Sequence, residues 1–290
     1  MNDPVFDSRD VIAGACGERT VELPCSGLWR CGALDALAKP CVAIVGTRAA
    51  TPYGKRLARA FAHALGAAGC CIVSGLALGI DAQAHEGALQ ASAPTIGVLG
   101  GGHRQFFPRH NAGLAERMIA GGGAVLSPFA PNDRAYPSQF LARNGIVAAL
   151  SDAVVVIEAP ARSGALNTAG WAAGRIPVFA VPGDVDRAHV QGCLALIRDG
   201  ATLARHAGDV LEALGRRMPL PLPFAAASAD PDGARLLASL EGGERALDDL
   251  VAESGVSAPA ALAALAMLEL DGTVERRGAT CYAIARCSCD

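Results

Sequence analysis

An arginine follows a glycine turn where an apolar run meets a basic helical pattern, in the segment CVAIVGTRAATPYGK (41–55). Gly46 permits a tight turn, Thr47 supplies a hydroxyl, and the Arg48 guanidinium can grip a phosphate with two parallel bonds beside a helix N-terminus. No acidic residue occurs between residues 41 and 80. The segment therefore predicts an anion site, with added charge from Lys55, in preference to an Arg48 ion pair. It lacks the glycines of dinucleotide-binding and P-loop motifs.

The same design recurs after the next apolar run, in VSGLALGIDAQAH (73–85). Ser74 and Gly75 stand where the run ends, so they are candidate ligand residues at the lip of the same cleft. Asp81 opens a helical pattern and has His85 one turn later. We expect these two to be a helix cap and its partner, which is a structural role.

A third turn, EAPARSGALNTA (158–169), supplies a second candidate phosphate cradle. Arg162, Ser163 and the amides after Gly164 can all donate hydrogen bonds to an anion. Glu158 could act as a catalytic carboxylate, but a structural ion pair is the favoured interpretation. The reason is that the sequence contains no Ser-His-Asp, Cys-His or paired-carboxylate arrangement.

These turns are positioned by a repeating pattern of apolar runs and helices. The runs are CVAIVG, CCIVSG, TIGVLGGG, GAVLSP, AVVVIEA and PVFAVPG. Continuous apolar strands that alternate with helices indicate a parallel sheet covered on both faces. The sequence predicts an α/β, Rossmann-like doubly wound domain of about six strands over residues 41–215, preceded by a short N-terminal prologue, residues 1–40, that packs on the sheet.

A small second domain is predicted at the C-terminal end. Residues 216–229 are rich in proline and alanine, as expected of a linker, and residues 230–290 contain three helix patterns and a hairpin, the plan of a winged helix. This segment has five basic and eleven acidic residues, and its third helix pattern has no Lys or Arg. We expect a protein-binding module, with duplex binding through Arg276 and Arg277 as the alternative.

Composition narrows the remaining possibilities. The net charge is −3, yet residues 41–150 contain nine basic and four acidic residues, which favours a local basic surface over a uniformly basic molecule. The sequence has no uninterrupted apolar stretch of membrane-spanning length and no signal-peptide pattern, so a cytoplasmic protein without membrane contact is expected. The ten cysteines are expected to be reduced and mostly buried. No metal or cofactor is expected, since CSC (287–289) has no matching ligand pair.

The ordered motifs AIVGTRAATPYG, IVSGLALGIDAQAH, TIGVLGGG, RNGIVAALSDAVVVIEAPARSGALNTA, GRIPVFAVPGD and LIRDGA resemble the DprA (Smf) family of DNA-processing proteins over residues 28–215. The resemblance implies a non-catalytic, usually homodimeric protein that binds single-stranded DNA during natural transformation and loads the RecA recombinase onto it. Carried over, the family's DNA pocket comprises Gly46, Thr47, Arg48, Phe140, Arg143, Asn144, Ser163, Gly164 and Thr168.

Single strands bind through phosphate neutralisation and base stacking, so the basic residues here and the rings of Phe106, Phe107 or Phe140 fit this role. Four positions depart from the family pattern: Gly145, Phe107 before Pro108, Pro128 and Leu194. The main alternative is a nucleotide-binding sensor or LOG-like phosphoribohydrolase, although that family's glycine cluster and catalytic Glu are missing. A dehydrogenase would need G-x-G-x-x-G and a ribose-binding acid.

Overall fold

A computed structural model describes residues 3–216, 231–240, 242–270, 273–277 and 280–284. The chain divides into two units, residues 1–219 and 220–290. The predicted linker, 216–229, lies outside the described residues except for Arg216. The exact domain limits at 215 and 230 stay predictions.

The larger unit is built on one nine-stranded sheet. Its strands are β1 (Val5–Ser8), β2 (Gly27–Gly32), β3 (Cys41–Gly46), β4 (Cys71–Ser74), β5 (Thr95–Val98), β6 (Ala124–Ser127), β7 (Ala153–Ile157), β8 (Val178–Ala180) and β9 (Thr202–Leu203). They lie in the order β1-β2-β6-β5-β4-β3-β7-β8-β9, and β3 to β9 run parallel. The six predicted apolar runs form β3 to β8, which confirms the mostly parallel sheet.

The N-terminal segment extends this sheet, whereas the sequence predicted only that it packs on it. β2 pairs antiparallel with both β1 and β6, so that Trp29 lies opposite Ser127. Ile12, Leu28 and Leu37 are fully buried in the core beside the sheet. The reason for the difference is that GLWRCG has mixed polarity and one of its two pairing partners, β6, is almost 100 residues away in sequence.

Helices cover both faces of the sheet. Within residues 3–216 they are α1 (Arg9–Ala15), α2 (Pro52–Ala67), α3 (Ile80–Gln90), α4 (Ala112–Ala120), α5 (Pro137–Ala149), α6 (Gly164–Ala172), α7 (Gln191–Arg198) and α8 (Ala207–Ala213). Val42 and Ile44 of β3 pack with α2, α3 and α8, while Ala43 and Val45 pack with α1, α5 and α6. Successive residues of a strand point to opposite faces, so an apolar run buries both. The predicted doubly wound fold is confirmed.

The direction of winding reverses between β3 and β7. The chain proceeds from β3 through β4 and β5 to β6 on one side, and then from β7 through β8 to β9 on the other. In open α/β sheets, ligands bind beyond the carboxyl ends of the strands near such a reversal. The turns after β3, β4 and β7 lie at this edge.

The second unit has the predicted three helices and wing. Its elements are α9 (Pro231–Leu240), β10 (Arg245–Ala246), α10 (Leu247–Ser254), α11 (Ala258–Leu270), β11 (Val274–Arg277) and β12 (Cys281–Ile284). The strands are ordered β10-β12-β11 and antiparallel. Leu236, Leu250, Leu265 and Tyr282 are among the residues that form its core.

The eight described cysteines are free thiols, and Cys70 and Cys71 are buried in the sheet region as expected. The CSC pair lies outside the described residues. No single helix of the described chain is long and apolar enough to cross a membrane. The segments Leu247–Ser254 and Ala258–Glu269 pass that test only as a pair, and they are bent by 111° where they join.

Candidate nucleic-acid interface

An exposed cation and two aromatic rings lie together at the carboxyl edge of the sheet. The guanidinium carbon of Arg48 is 4.8 Å from the centroid of the Phe140 ring, and no described acid forms an ion pair with Arg48. Phe107 meets Phe140 edge-on, with ring centroids 6.0 Å apart, and its side chain is 53% exposed. The site therefore has an exposed cation beside aromatic surface, and Asp81 acts on it electrostatically without forming an ion pair.

The glycine turn before Arg48 is fixed by close packing. A Cβ at Gly46 would lie 1.9 Å from the carbonyl oxygen of Ile157, which belongs to the neighbouring strand β7. Any larger residue at position 46 would force these two strands apart. The requirement for glycine here comes from close approach of the two backbones.

Arg143 is buried directly beneath this surface. Its side chain is 3% exposed, and Nη1 donates a 2.6 Å hydrogen bond to the carbonyl oxygen of Val98. A Cβ at Gly75 would lie 1.8 Å from the same nitrogen, so the guanidinium rests on the Gly75 backbone. Burial lowers the pKa of Arg143 to about 10, an effect that Asp81 opposes and the charge of Arg48 reinforces. The family resemblance places Arg143 in the DNA pocket, whereas its burial favours a role in positioning the loop after β4.

The turn after β4 is held from below by two polar side chains. Asp81 Oδ2 accepts hydrogen bonds from the amides of Gly75 (3.1 Å) and Ala77 (3.4 Å). Asn111 Nδ2 donates to the carbonyl oxygens of Leu76 (2.9 Å) and Ala77 (3.1 Å). Burial raises the pKa of Asp81, and Arg143 and these amides oppose that shift. Sequence reasoning missed Asn111, because its partners are 34 and 35 residues away.

The expected pairing of Asp81 with His85 is wrong. α3 begins after Gly79, and the Asp81 carboxylate turns back to the preceding loop instead of capping the helix. His85 Nδ1 is 2.7 Å from Thr95 Oγ1, and the Thr95 hydroxyl donates to the carbonyl oxygen of Ile72. Because a hydroxyl has a single proton, Thr95 must accept from His85, so the proton of the neutral imidazole is on Nδ1.

The third turn, after β7, joins the site through Asn144. Asn144 Nδ2 donates to the carbonyl oxygen of Gly164 (3.1 Å) and to Asn167 Oδ1 (3.3 Å), which ties α5 to the first turn of α6. Ser163 caps α6 by accepting a 3.3 Å hydrogen bond from the Ala165 amide. Arg162 and Gly164 are exposed next to this cap. Contacts of Arg48 with Phe140, Arg143 with Gly75 and Asn144 with Gly164 thus connect three predicted turns through α5.

Three of the thirteen predicted site residues do not join this surface. The Ser74 hydroxyl is fully buried and donates to the carbonyl oxygen of Ile44 at 2.6 Å, so it has no proton left for a ligand. Thr168 is buried within α6. Lys55 is exposed on α2, but no described contact links it to the residues above.

The N-terminus of α2 already has an anion, contributed by the protein. Glu158 is 3% exposed, and its Oε2 accepts a 2.9 Å hydrogen bond from the Thr51 amide, while Oε1 accepts from the Thr51 hydroxyl. A Cβ at Gly54 would lie 2.2 Å from Oε2, so only glycine leaves room for this carboxylate. The predicted phosphate position beside this helix end is therefore filled, and Arg48 is directed to Phe140 instead.

Glu158 accepts the structural hydrogen bonds described above, and a histidine lies beside its carboxylate. His189 Nε2 lies 3.6 Å from Glu158 Oε1. The Glu158 carbonyl oxygen also accepts from the Thr47 amide at 2.7 Å, and its φ of +48° places it in the left-handed region. Among the described residues, no group of three or more His, Cys, Asp or Glu side chains could hold a metal ion.

Comparison with known proteins identifies the family. Residues 18–215 match the family model of DNA recombination-mediator protein A, and residues 220–279 match the DprA winged helix domain. The chain belongs to the DprA family. The resemblance inferred from its motifs is thereby confirmed, and so is the winged helix at its C-terminal end.

The most similar DprA-family relatives include the putative DNA processing protein DprA of Mycobacterium tuberculosis, 40% identical over 280 residues, which cover 94% of this chain and 71% of that protein. The Smf protein of Escherichia coli is 42% identical over 185 residues, 63% of this chain and 49% of the relative. The chain therefore spans about half the length of the latter protein.

Two solved DprA structures share the fold. The Streptococcus pneumoniae protein has a TM-score of 0.61 at 39% identity, over 64% of this chain and 66% of that one. The Helicobacter pylori protein has a TM-score of 0.61 at 29% identity, over 73% of this chain and 94% of that one. Its structure is described as giving insight into a unique single-stranded DNA binding mode. The protein described here is accordingly a member of a family of DNA-processing proteins.

Proposed function

We propose that this protein binds single-stranded DNA at the carboxyl edge of its sheet and acts there as a non-catalytic recombination mediator. It protects DNA that enters during natural transformation and loads a RecA-type recombinase onto it. The observation that carries this proposal is the exposed Arg48 guanidinium, which has no described ion pair and lies 4.8 Å from the Phe140 ring. Phosphate neutralisation beside a stacking surface is the chemistry that sequence-independent single-strand binding requires.

The surrounding residues support this assignment. Arg162 and the exposed backbone at Gly164 extend the cationic, donor-rich surface on the far side of Asn144. Gly46, Thr47, Ser163 and Lys55 complete the proposed contacts, and Gly75, Arg143 and Asn144 position them. The single-strand binding mode described for the H. pylori relative points in the same direction.

A small nucleotide is a weaker candidate ligand, for a structural reason. The helix N-terminus at the reversal point of the sheet, where such folds hold a phosphate, is occupied by the Glu158 carboxylate. A second anion there would be repelled by the first. No observation therefore favours a LOG-like hydrolase or a nucleotide sensor.

We further propose a cytoplasmic homodimer whose winged helix binds a protein partner. The third helix, α11, exposes Leu262 (47%) and Met267 (60%) and has no Lys or Arg. In the wing, Arg277 pairs with Glu275, and Arg276 lies over the Tyr282 ring at 5.8 Å. An apolar face without basic residues favours a protein over a DNA duplex as its ligand.

Replacing Arg48 by alanine is expected to weaken binding of poly-dT about tenfold and to reduce the salt slope by about 0.7, the value for one phosphate contact on a single strand. The measurement is fluorescence anisotropy of a labelled oligonucleotide at two salt concentrations. Arg117→Ala is the matched control, because Arg117 is an exposed arginine already paired with Glu86. Equal affinity and slope for the Arg48 variant and wild type would remove the site assignment, and displacement by a mononucleotide would favour the alternative function.

A further inference from the structure

An exposed tryptophan borders a groove between α5 and α6. Neither the tryptophan nor the groove belongs to the DNA site proposed above. Trp171 is 40% exposed. The groove has a volume of about 440 Å³ and is bordered by Pro24, Gly145, Trp171, Arg175 and Ile176, with Glu22 at its rim. A shallower depression of about 520 Å³ lies beside the same ring and includes Asn167, Gly170 and Arg175. Both volumes fall within the range of ligand-binding pockets.

The indole is held against α5 through one of its faces. A Cβ at Gly145 would lie 3.1 Å from Cε2 and 3.2 Å from Cδ2 of Trp171, the two atoms shared by its fused rings. An approach from the ring edge would meet other atoms first, so Gly145 lies under the ring face. Trp171 is nevertheless 40% exposed, so the contact with Gly145 leaves a large part of the residue open to solvent. The absence of a side chain at Gly145 lets the ring settle there.

Trp171 also lies in line with the proposed DNA site. It lies seven positions after Gly164, which in an α-helix corresponds to nearly two full turns and about 10 Å along the axis. The two residues therefore occupy the same face of α6, with Asn167 between them. Asn144, which bonds both Gly164 and Asn167, precedes Gly145 in the chain. One continuous strip thus joins the α6 N-terminus to the indole.

A cation completes the arrangement. Arg175 is exposed and borders both the groove and the depression. It forms an ion pair with Glu22 at a distance of 3.9 Å, and both side chains are more than half exposed. Such a pair contributes little and is readily exchanged for another anion. An aromatic face next to an available arginine is suited to a nucleobase and its phosphate.

We propose that Trp171 and Arg175 form a second base-stacking subsite. A bound single strand then continues along α6, from the contact between Asn144 and Gly164 to the indole of Trp171. This proposal rests on the proposed single-strand binding. A base stacks on the open face of Trp171, and the phosphate of that nucleotide takes the place of Glu22 beside Arg175. The subsite is reached only by oligonucleotides long enough to span both ends of α6.

Intrinsic fluorescence reports on this subsite directly, because the chain has two tryptophans and the other, Trp29, packs edge-on against Phe6 in the N-terminal strands. In a Trp29→Phe background, Trp171 is the sole tryptophan. Titration with unlabelled oligo-dT of about 4 to 16 nucleotides should quench its emission only above a threshold length. Trp171→Ala should weaken binding of the long oligonucleotides on the order of tenfold and leave the shortest unchanged. Trp171→Phe should retain most of the affinity, and Glu22→Gln should tighten binding at low salt.

The outcomes separate this subsite from the main proposal. The subsite would be overturned, and the main site left intact, by three results together. Arg48→Ala weakens binding, the emission of Trp171 is not quenched, and Trp171→Ala binds with wild-type affinity. No binding of oligo-dT by wild type would overturn both. A change of oligomeric state in Trp171→Ala without DNA, measured by sedimentation, would assign the groove to a protein contact and so overturn the subsite.

Discussion

Replacing Arg143 by alanine is expected to lower the free energy of unfolding of the larger unit by about 3 kcal/mol, because the change leaves the buried Asp81 carboxylate without its neighbouring positive charge. It also leaves the Val98 carbonyl oxygen without the donor that bonds it at 2.6 Å. For a unit of this size the midpoint of thermal unfolding should fall by about 10 °C. Trp29 and Trp171 both lie in this unit, so their fluorescence follows its unfolding.

The Arg143→Ala variant also tests whether Arg143 positions the DNA site or contacts DNA directly. Arg143 is 3% exposed and rests on Gly75, so its loss should loosen the loop after β4 and weaken binding of poly-dT. In the proposed positioning role Arg143 neutralises no phosphate, so we expect the salt slope to stay at the wild-type value, in contrast to Arg48→Ala. Arg162→Ala, an exposed arginine at the α6 corner, is the stability control and should change unfolding by less than about 0.5 kcal/mol. A reduced salt slope in Arg143→Ala would show that the guanidinium reaches the DNA.

Acidification from pH 6.5 to pH 4 is expected to destabilise the larger unit by about 3 kcal/mol through His85 alone. Burial lowers the pKa of His85 to about 3, with a further contribution from the charge of Arg143. The Nε2 atom is buried and has no hydrogen-bond partner among the described residues, so a proton added there finds no acceptor. In the unfolded chain His85 has the ordinary histidine pKa of about 6.5. Between pH 6.5 and pH 3 the unfolded chain therefore binds a proton that the folded chain does not. The contribution of His85 to the free energy of unfolding is complete above about pH 6.5 and declines as the pH falls towards 3.

Urea unfolding at a series of pH values measures this effect. His85→Gln retains a donor for Thr95 but cannot titrate. Below pH 6.5 the slope of its free energy of unfolding against pH should therefore be smaller than that of wild type by about 1.4 kcal/mol per pH unit. His103 contributes a residual slope of the same sign, since burial lowers its pKa as well. His110→Gln is the control for the substitution itself, because His110 is exposed. Parallel profiles for wild type and His85→Gln would refute the assignment.

Much of the fold could be read from local patterns. The six apolar runs became β3 to β8 because strands buried on both faces need no alternation, and this signal is contained within each run. The order of helices and strands fixed the parallel sheet and its ligand edge. β1, β2 and β9 escaped prediction. β1 and β9 are short edge strands, and β2 has mixed polarity and pairs with β6 almost 100 residues away.

The candidate site likewise has features that local sequence predicts and features that depend on packing. The family, the three turns at the carboxyl edge and the residue types within them could be predicted from the sequence, because motif spacing and strand ends are local properties. The packing of the folded chain explains why Arg48 is exposed beside Phe140 whereas Arg143 is buried on Gly75, and why Glu158 fills the α2 N-terminus. Whether a charged side chain reaches solvent or a buried partner depends on packing between segments far apart in the chain, and residue type alone contains no record of that packing.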